Sequence, residues 1–348
     1  MRTSIAFFAS AALVAGCATP VERIDHVDRI MRDYAGPVPG ASVLVVHDGV
    51  PVVRRSWGVA DMESGTPATP ATGYRLASVT KQFTAAAILL LAEDDRLRLD
   101  DPVRVWLPSL PAAAEPVTIR HLLTHTSGLV DYEDVIPESM SWQLRDADVL
   151  KLLESQDRTY FVPGSGYRYS NSGYALLALI VERASGRDFP GFLRERIFLP
   201  LGMDNTVAYV REGPSVPHRA YGYSLVDGRW KRTDQSPTSA VLGDGGIYSS
   251  INDLARWDAA LYDSRLLSAE SRAVAFAAST PTDDPRVAYG FGWRITGETL
   301  WHSGETMGFR NVIVRWPQRR LTVVVLTNRN DPEPYRMALE IAQPWLED

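Results

Sequence analysis

The chain has 348 residues, 45% of them hydrophobic and 22% charged. That is enough to bury one complex core or two interleaved ones, and it is too apolar for a disordered chain. A formal net charge of −6, with no basic stripe and no RNA- or DNA-binding motif, excludes nucleic acid as an expected partner, and a single cysteine excludes an intrachain disulfide.

In chain order, residues 1–16 read as a signal peptide. Arg2 supplies a positive start, and the run from Ile5 to Ala15 is an apolar core too short to span and stay. Leu13-Val-Ala-Gly-Cys17 resembles the lipobox of bacterial lipoproteins, with Cys17 as the lipidated first mature residue. The expected location is therefore the periplasmic side of a bacterial cell envelope, with lipid on Cys17 as the membrane partner. The alternative is an ordinary signal cleaved after Ala18 and a secreted periplasmic protein.

Residues 17–38 read as a linker and first helix, from Val21, Ile24, Val27, Ile30, Met31 and Tyr34 at helical spacing. Residues 41–46 and 50–57 read as a β-hairpin around Asp48-Gly49. A helix is predicted over 79–92, with Val79, Phe83, Ala86, Ala87, Leu90 and Leu91 on its apolar face. Helices then dominate to about 280. Strands return at 289–295, 299–303, 309–316 and 321–327, and a closing helix runs over 334–346. Strands at both ends with helices between them imply an α+β fold. Residues 39–78 and 285–348 would form a lobe containing an antiparallel sheet flanked by helices, and 79–284 a large inserted, mostly helical lobe.

Four places carry chemistry. Lys81 is one of three lysines against 33 arginines, and it follows Ser78 by three residues. A guanidinium stays protonated, whereas a lysine amine can be made neutral, so a retained lysine is a candidate for proton transfer. Pro163-Gly-Ser-Gly-Tyr-Arg-Tyr-Ser-Asn171 is a turn presenting Tyr169 and Asn171. Thr299-Leu-Trp-His-Ser-Gly304 is a strand ending in small residues, which let a substrate backbone approach. The run Val130-Asp-Tyr-Glu-Asp134, with Glu138, is acidic. It reads as solvated surface unless it overhangs the cleft, where it would favour cationic substrates.

Other patterns weigh less. His121 and His125 have zinc-compatible spacing on a predicted helix but lack a Glu or Cys partner, so no metal is expected. Gly243-Asp-Gly-Gly246 resembles a phosphate loop only superficially, and Ser250-Ile-Asn-Asp253 reads as a helix cap. Arg310 could receive a carboxylate or pair with Glu305.

Together and in this order, Ser78-x-x-Lys81, Tyr169-x-Asn171 and His302-Ser303-Gly304 resemble the serine β-lactamase and penicillin-binding-protein superfamily. The resemblance is strongest to its class C branch, which includes D-Ala-D-Ala carboxypeptidases, D-amino-acid-specific peptidases and β-lactamase-like esterases. Similar stretches are Leu122-Leu-Thr-His-Thr-Ser-Gly-Leu129, Gly245-Gly-Ile-Tyr-Ser-Ser250, Tyr289-Gly-Phe-Gly-Trp293 and residues 321–328. The resemblance implies the same fold and a hydrolase working through a Ser78 acyl-enzyme. The substrate would be a D-amino-acid peptide, a β-lactam or a small ester, and no metal or organic cofactor would be needed. Lys81 and Tyr169 would share the proton work, with the base left open between them. Asn171 would hold the substrate amide, and the N–H groups of Ser78 and Glu305 would form the oxyanion hole.

His302 departs from the class C pattern, which has lysine there. A protonated His302 would help Lys81 favour a Tyr169 phenolate; as the cation that receives a substrate carboxylate, it would also make acylation by carboxylate-bearing substrates rise toward pH 6, with a neutral ester nearly indifferent. The alternatives are a penicillin-reactive binding protein acylated at Ser78 with little turnover, and a catalytically silent docking lipoprotein.

Overall fold

The structure is a computed structural model that describes residues 19–347. The expected signal segment 1–16 and Cys17 lie outside the described residues. Among the described residues no helix is long and apolar enough to cross a membrane.

Alternating side chains build the centre of the fold. Val43 and Val45 point to one face of their strand and Leu44 and Val46 to the other, as a two-residue period requires. Both faces are apolar, so the strand is covered on both sides. It lies in an eight-stranded antiparallel sheet, whose order is Thr280–Pro281, Ala288–Tyr289, Arg294–Thr296, Thr299–Thr306, Phe309–Trp316, Leu321–Thr327, Ala41–His47 and Val50–Trp57. The expected hairpin is present, and the two chain ends meet where Val43 pairs Val325. The fold is thus the α+β arrangement expected.

One sheet face packs against the helices Pro20–Ile30 and Tyr335–Leu346 through Val27, Met31, Tyr34, Ile341 and Trp345. The first helix is therefore an outer layer of the sheet; a capping box between Thr19 and Glu22 opens it. The other face, with Leu44, Ile313, Val324 and Leu326, packs against the helical region. There the helix Lys81–Glu93 is buried nearly all round, next to Asn171–Ser185 and Ile251–Ala260.

Three details differ from the sequence expectation. The sheet begins at Thr280, ahead of residue 285. The 79–284 region contains strands as well as helices: Ile247–Ser249 pairs with both Tyr74–Arg75 and Val207–Ala208, and Tyr223–Val226 pairs with Arg229–Arg232. The strand expected over 289–295 is broken in two. A Cβ on Gly290 would sit 2.3 Å from the Ala275 carbonyl oxygen, and one on Gly292, at φ +75°, 2.7 Å from that of Lys81. The chain there runs too close to its neighbours for side chains, which takes it out of a regular ladder.

Candidate active site

Ser78 sits in a tight 3₁₀ turn, Ala77–Thr80, that runs into the helix starting at Lys81. Residues three apart eclipse in such a turn, so Ser78 and Lys81 face each other more closely than in the α-helix expected from residue 79. Ala77, just before the nucleophile, has φ +50°, a left-handed conformation that strains a non-glycine residue. The turn is held from both sides. Leu76 N–H donates to Ile247 O at 2.8 Å, and Asn311 Nδ2 donates to Arg75 O at 2.7 Å. A Cβ on Gly304 would lie 2.0 Å from Leu76 O. Only glycine lets the His302 strand touch the turn that carries Ser78.

Lys81 is fully buried, whereas Ser78, Tyr169 and Asn171 are partly exposed. Its Nζ lies 3.1 Å from Ser78 Oγ, 2.8 Å from Asn171 Oδ1 and 2.9 Å from the Asp244 main-chain oxygen. The last two are amide oxygens, which only accept. A neutral amine has two hydrogens and one lone pair. In that neutral form, with both hydrogens on these oxygens, the lone pair is left for the Ser78 hydroxyl; in the ammonium form the third hydrogen goes to Ser78 Oγ.

Tyr169 lies alongside. Its ring centroid is 5.0 Å from Lys81 Nζ and 5.3 Å from the Arg294 guanidinium carbon. Among the described residues, no protein group hydrogen-bonds its buried hydroxyl. Its ring stacks on His125 at 4.3 Å. His125 Nδ1 accepts the Ser170 N–H at 3.0 Å, so the imidazole is fixed from the main chain. His121 and His125 do not share a helix: the helix ends at Leu123, and His125 follows at φ +60°. Among the described residues, no cluster of three or more histidine, cysteine or acidic side chains could hold a metal.

His302 is where the geometry corrects the sequence reading. The imidazole is buried, and its Nδ1 lies 2.7 Å from Ser303 O and its Nε2 3.0 Å from the Tyr289 hydroxyl. A carbonyl only accepts, so Nδ1 carries the hydrogen and Nε2 accepts from Tyr289. Burial, then Arg294 and Lys81, push His302 well below the ordinary histidine value. Its neutral form is favoured, so it is a poor source of the cation expected beside Tyr169. Arg294 takes that place. Sequence reasoning missed it; the signal was its register, since Arg294 pairs with Trp301, next to His302.

The acidic run also differs from a solvated surface. Asp131 is buried, and its Oδ2 accepts the N–H of Asn171 at 2.6 Å and of Ser172 at 3.3 Å, capping the helix Asn171–Ser185. Tyr132 O–H donates to Asp244 Oδ2 at 2.8 Å. Glu133 stays exposed at its edge and borders Asn171 and Lys81. Burial and then Asp131 raise its pKa, and Lys81 and Asn171 oppose the rise. The Gly243-Asp-Gly-Gly246 stretch forms a short helix, Leu242–Gly245, that delivers the Asp244 carbonyl to Lys81.

On the far side of Ser78, the ladder between Arg294–Thr296 and Thr299–Thr306 ends at the pair Arg294 and Trp301, whereas pairing with Phe309–Trp316 continues to Thr306. Beyond Trp301 the strand therefore has one unladdered edge beside Ser303, Gly304 and Glu305. Such an edge can pair with an extended substrate. Glu305 is exposed and bound to Arg310 at 2.6 Å; Arg310 also donates to the main-chain oxygens of Thr306 and Phe309. Pairing with Glu305, one of the two roles open to Arg310, is the one observed. A separate hollow of about 500 Å³ beside Phe198, Met203 and Val210 contains none of these groups.

Known proteins share this fold. The Beta-lactamase family profile matches residues 27–343. Penicillin-binding protein 4* of Bacillus subtilis (strain 168) is 35% identical over 324 residues, covering 86% of this chain and 70% of its own. The D-aminopeptidase of Gluconobacter oxydans (strain 621H) is 30% identical over 301 residues, 84% of this chain and 56% of its own, so the chain spans little more than half of that relative. The octameric penicillin-binding protein homologue from Pyrococcus abyssi superposes with a TM-score of 0.82 at 28% identity, over 94% of this chain and 77% of that one. The D-amino acid amidase from Ochrobactrum anthropi SV3 complexed with L-phenylalanine amide gives 0.81 at 27% identity, over 94% and 98%. With its matched span taking in Ser78, Lys81, Tyr169 and His302, this chain belongs to the beta-lactamase family and is a serine hydrolase of the β-lactamase and penicillin-binding-protein superfamily.

Proposed function

We propose that the protein hydrolyses a small amide or ester through an acyl-enzyme on Ser78, with Lys81 as the base in acylation. The observation that carries this is the Lys81 contact set: two acceptor-only oxygens and one hydroxyl around a buried amine. Ser78 Oγ gives its proton to Lys81 Nζ as it bonds to the substrate carbonyl carbon. The N–H groups of Ser78 and Glu305 receive the oxyanion; the close fit of Gly304 under Leu76 brings that strand to the turn. The bond to the leaving group then breaks, the Tyr169 hydroxyl protonates that group, and Tyr169 regains a proton from Lys81. Water repeats the sequence to release the acid.

The substrate read from the rim is an amide or short peptide carrying a free ammonium on a D-amino acid. Glu133 and Glu305, the latter paired with Arg310, put acidic side chains at the rim of the cleft, and neutral His302 offers no charge to a carboxylate. Relatives named D-aminopeptidase and D-amino acid amidase support this class. A second reading, a penicillin-reactive receptor with slow turnover, is favoured by Arg294, a permanent cation beside Tyr169 that suits a drug carboxylate. Lipid attachment at Cys17 and a place in the cell envelope rest on the Leu13-Val-Ala-Gly-Cys17 sequence.

The test is a substrate panel: a D-alanyl anilide, a D-Ala-D-Ala peptide, a p-nitrophenyl ester and nitrocefin, with mass spectrometry for adducts. The expected result is steady turnover of the anilide and an adduct on Ser78 that Ser78→Ala abolishes. A stable nitrocefin adduct without turnover of any amide or ester would favour the receptor. For the anchor, Cys17→Ser should move the protein from the membrane fraction to the soluble one; no change would remove the lipid from the account.

A further inference from the structure

The contacts around Lys81 close into a ring. Lys81 Nζ reaches the Asp244 carbonyl, the Asp244 carboxyl accepts from Tyr132, and Asp131 next in sequence holds Asn171 N. Asn171 Oδ1 returns to Lys81 Nζ at 2.8 Å. Every member except Asn171 is buried. The mechanism above uses the Asp244 carbonyl, but its carboxyl is a further polar group inside the protein that the chemistry has not employed.

We propose that the Asp244 carboxyl, held by Tyr132, is a positioning residue for Lys81: it fixes the carbonyl that takes one amine hydrogen and sets how readily the amine is freed to act on Ser78. This rests on Lys81 as the base. A carboxylate beside an amine favours the ammonium form, so it opposes release of the lone pair; when the carboxyl is neutral that opposition is gone. The groups that face the carboxyl are Lys81 from the helix Lys81–Glu93, Tyr132 and Glu133 from the acidic turn, and Asp146 from the helix Asp146–Leu153. Burial raises Asp244 to about 7, with Lys81 opposing and Asp146 adding. The carboxyl therefore changes charge near neutral pH. Asp146 is itself engaged: it caps the helix Leu242–Gly245 through Leu242 N at 2.9 Å and Gly243 N at 3.0 Å, which fixes the main chain of Asp244.

The experiment is the pH profile of kcat/KM for a small neutral ester in Asp244→Asn and Tyr132→Phe. Asparagine keeps an acceptor for Tyr132 and removes the charge. The acid limb should move to lower pH by about one unit in Asp244→Asn, with KM within about twofold of wild type. In Tyr132→Phe the carboxyl loses a hydrogen bond that favours its charged form, and the limb should move the same way by less. Tyr132→Phe removes one hydroxyl from an otherwise intact core, so it answers the question even if Asp244→Asn does not fold. A folded variant that forms the Ser78 adduct with its acid limb in the wild-type position overturns the proposal and leaves Lys81 as the base. Full activity in Lys81→Arg would overturn both.

Discussion

At the scale of single residues, the site separates what is reactive from what is fixed. Ser78 is partly exposed, Tyr169 is partly exposed with its hydroxyl buried, and Lys81 and His302 are sealed behind them. A buried lysine is costly unless its hydrogens are used, and here two are taken by amide oxygens. Arg294 supplies the charge that His302 lacks. Arg294→Gln should lower kcat for a neutral ester about tenfold with little change in KM, because a cation near the Tyr169 ring is worth roughly 1–2 kcal/mol when partly desolvated. A steady-state comparison checks this, and an unchanged kcat would exclude a role for Arg294 in the proton work. The motif residues were legible because their types are informative: a lysine among arginines, a tyrosine and an asparagine on one turn. Asp244 was not, because it meets Lys81 across 163 positions and belongs to no periodic pattern.

At the scale of elements, one close approach decides whether the site assembles. The strand Thr299–Thr306 meets the Ser78 turn at Gly304, with no room for a methyl group. Gly304→Ala should cost about 1–3 kcal/mol of stability and lower kcat more than tenfold, since the strand must move off Leu76. Urea unfolding and kinetics at one pH would show it; a loss of stability with kcat intact would mean the strand edge does not serve the reaction. The long strands and the terminal helices were legible from their period. The break at 290–293 was not, since contacts between Gly290 and Ala275, and between Gly292 and Lys81, are set by tertiary packing. Within the acidic run at 130–134, Asp131 and Tyr132 were misread for a similar reason, whereas Glu133 and Asp134 are exposed as expected. Asp131 and Tyr132 have polar partners on other elements, which composition does not show.

For the whole molecule, buried titrating groups act in opposite directions. His125 and His302 are held well below 6.5, chiefly by burial, so the unfolded chain binds more protons than the folded one below that pH. Their contribution is present above 6.5 and lost as pH falls. Asp146 and Asp244 are raised to about 7 by burial, so the folded chain keeps their protons; that contribution is present at low pH and lost as pH rises through about 7. The two pairs offset each other between about pH 4 and 6.5. His302→Gln removes one histidine from the balance, so the variant should gain about 1 kcal/mol relative to wild type as pH falls from 6.5 to 5.5. Unfolding free energies at those two pH values check it. Parallel behaviour of the two proteins would mean that His302 takes up a proton in the folded state.

The central claim is that the Lys81 amine activates the Ser78 hydroxyl. Its most direct test is intact-protein mass after a brief exposure to a D-alanyl ester at pH 7, comparing wild type with Lys81→Arg. Arginine keeps the charge but cannot give up a proton. The account predicts rapid acylation of Ser78 in wild type and at least a hundredfold slower acylation in a folded Lys81→Arg. Equal rates of adduct formation in the two proteins would contradict it.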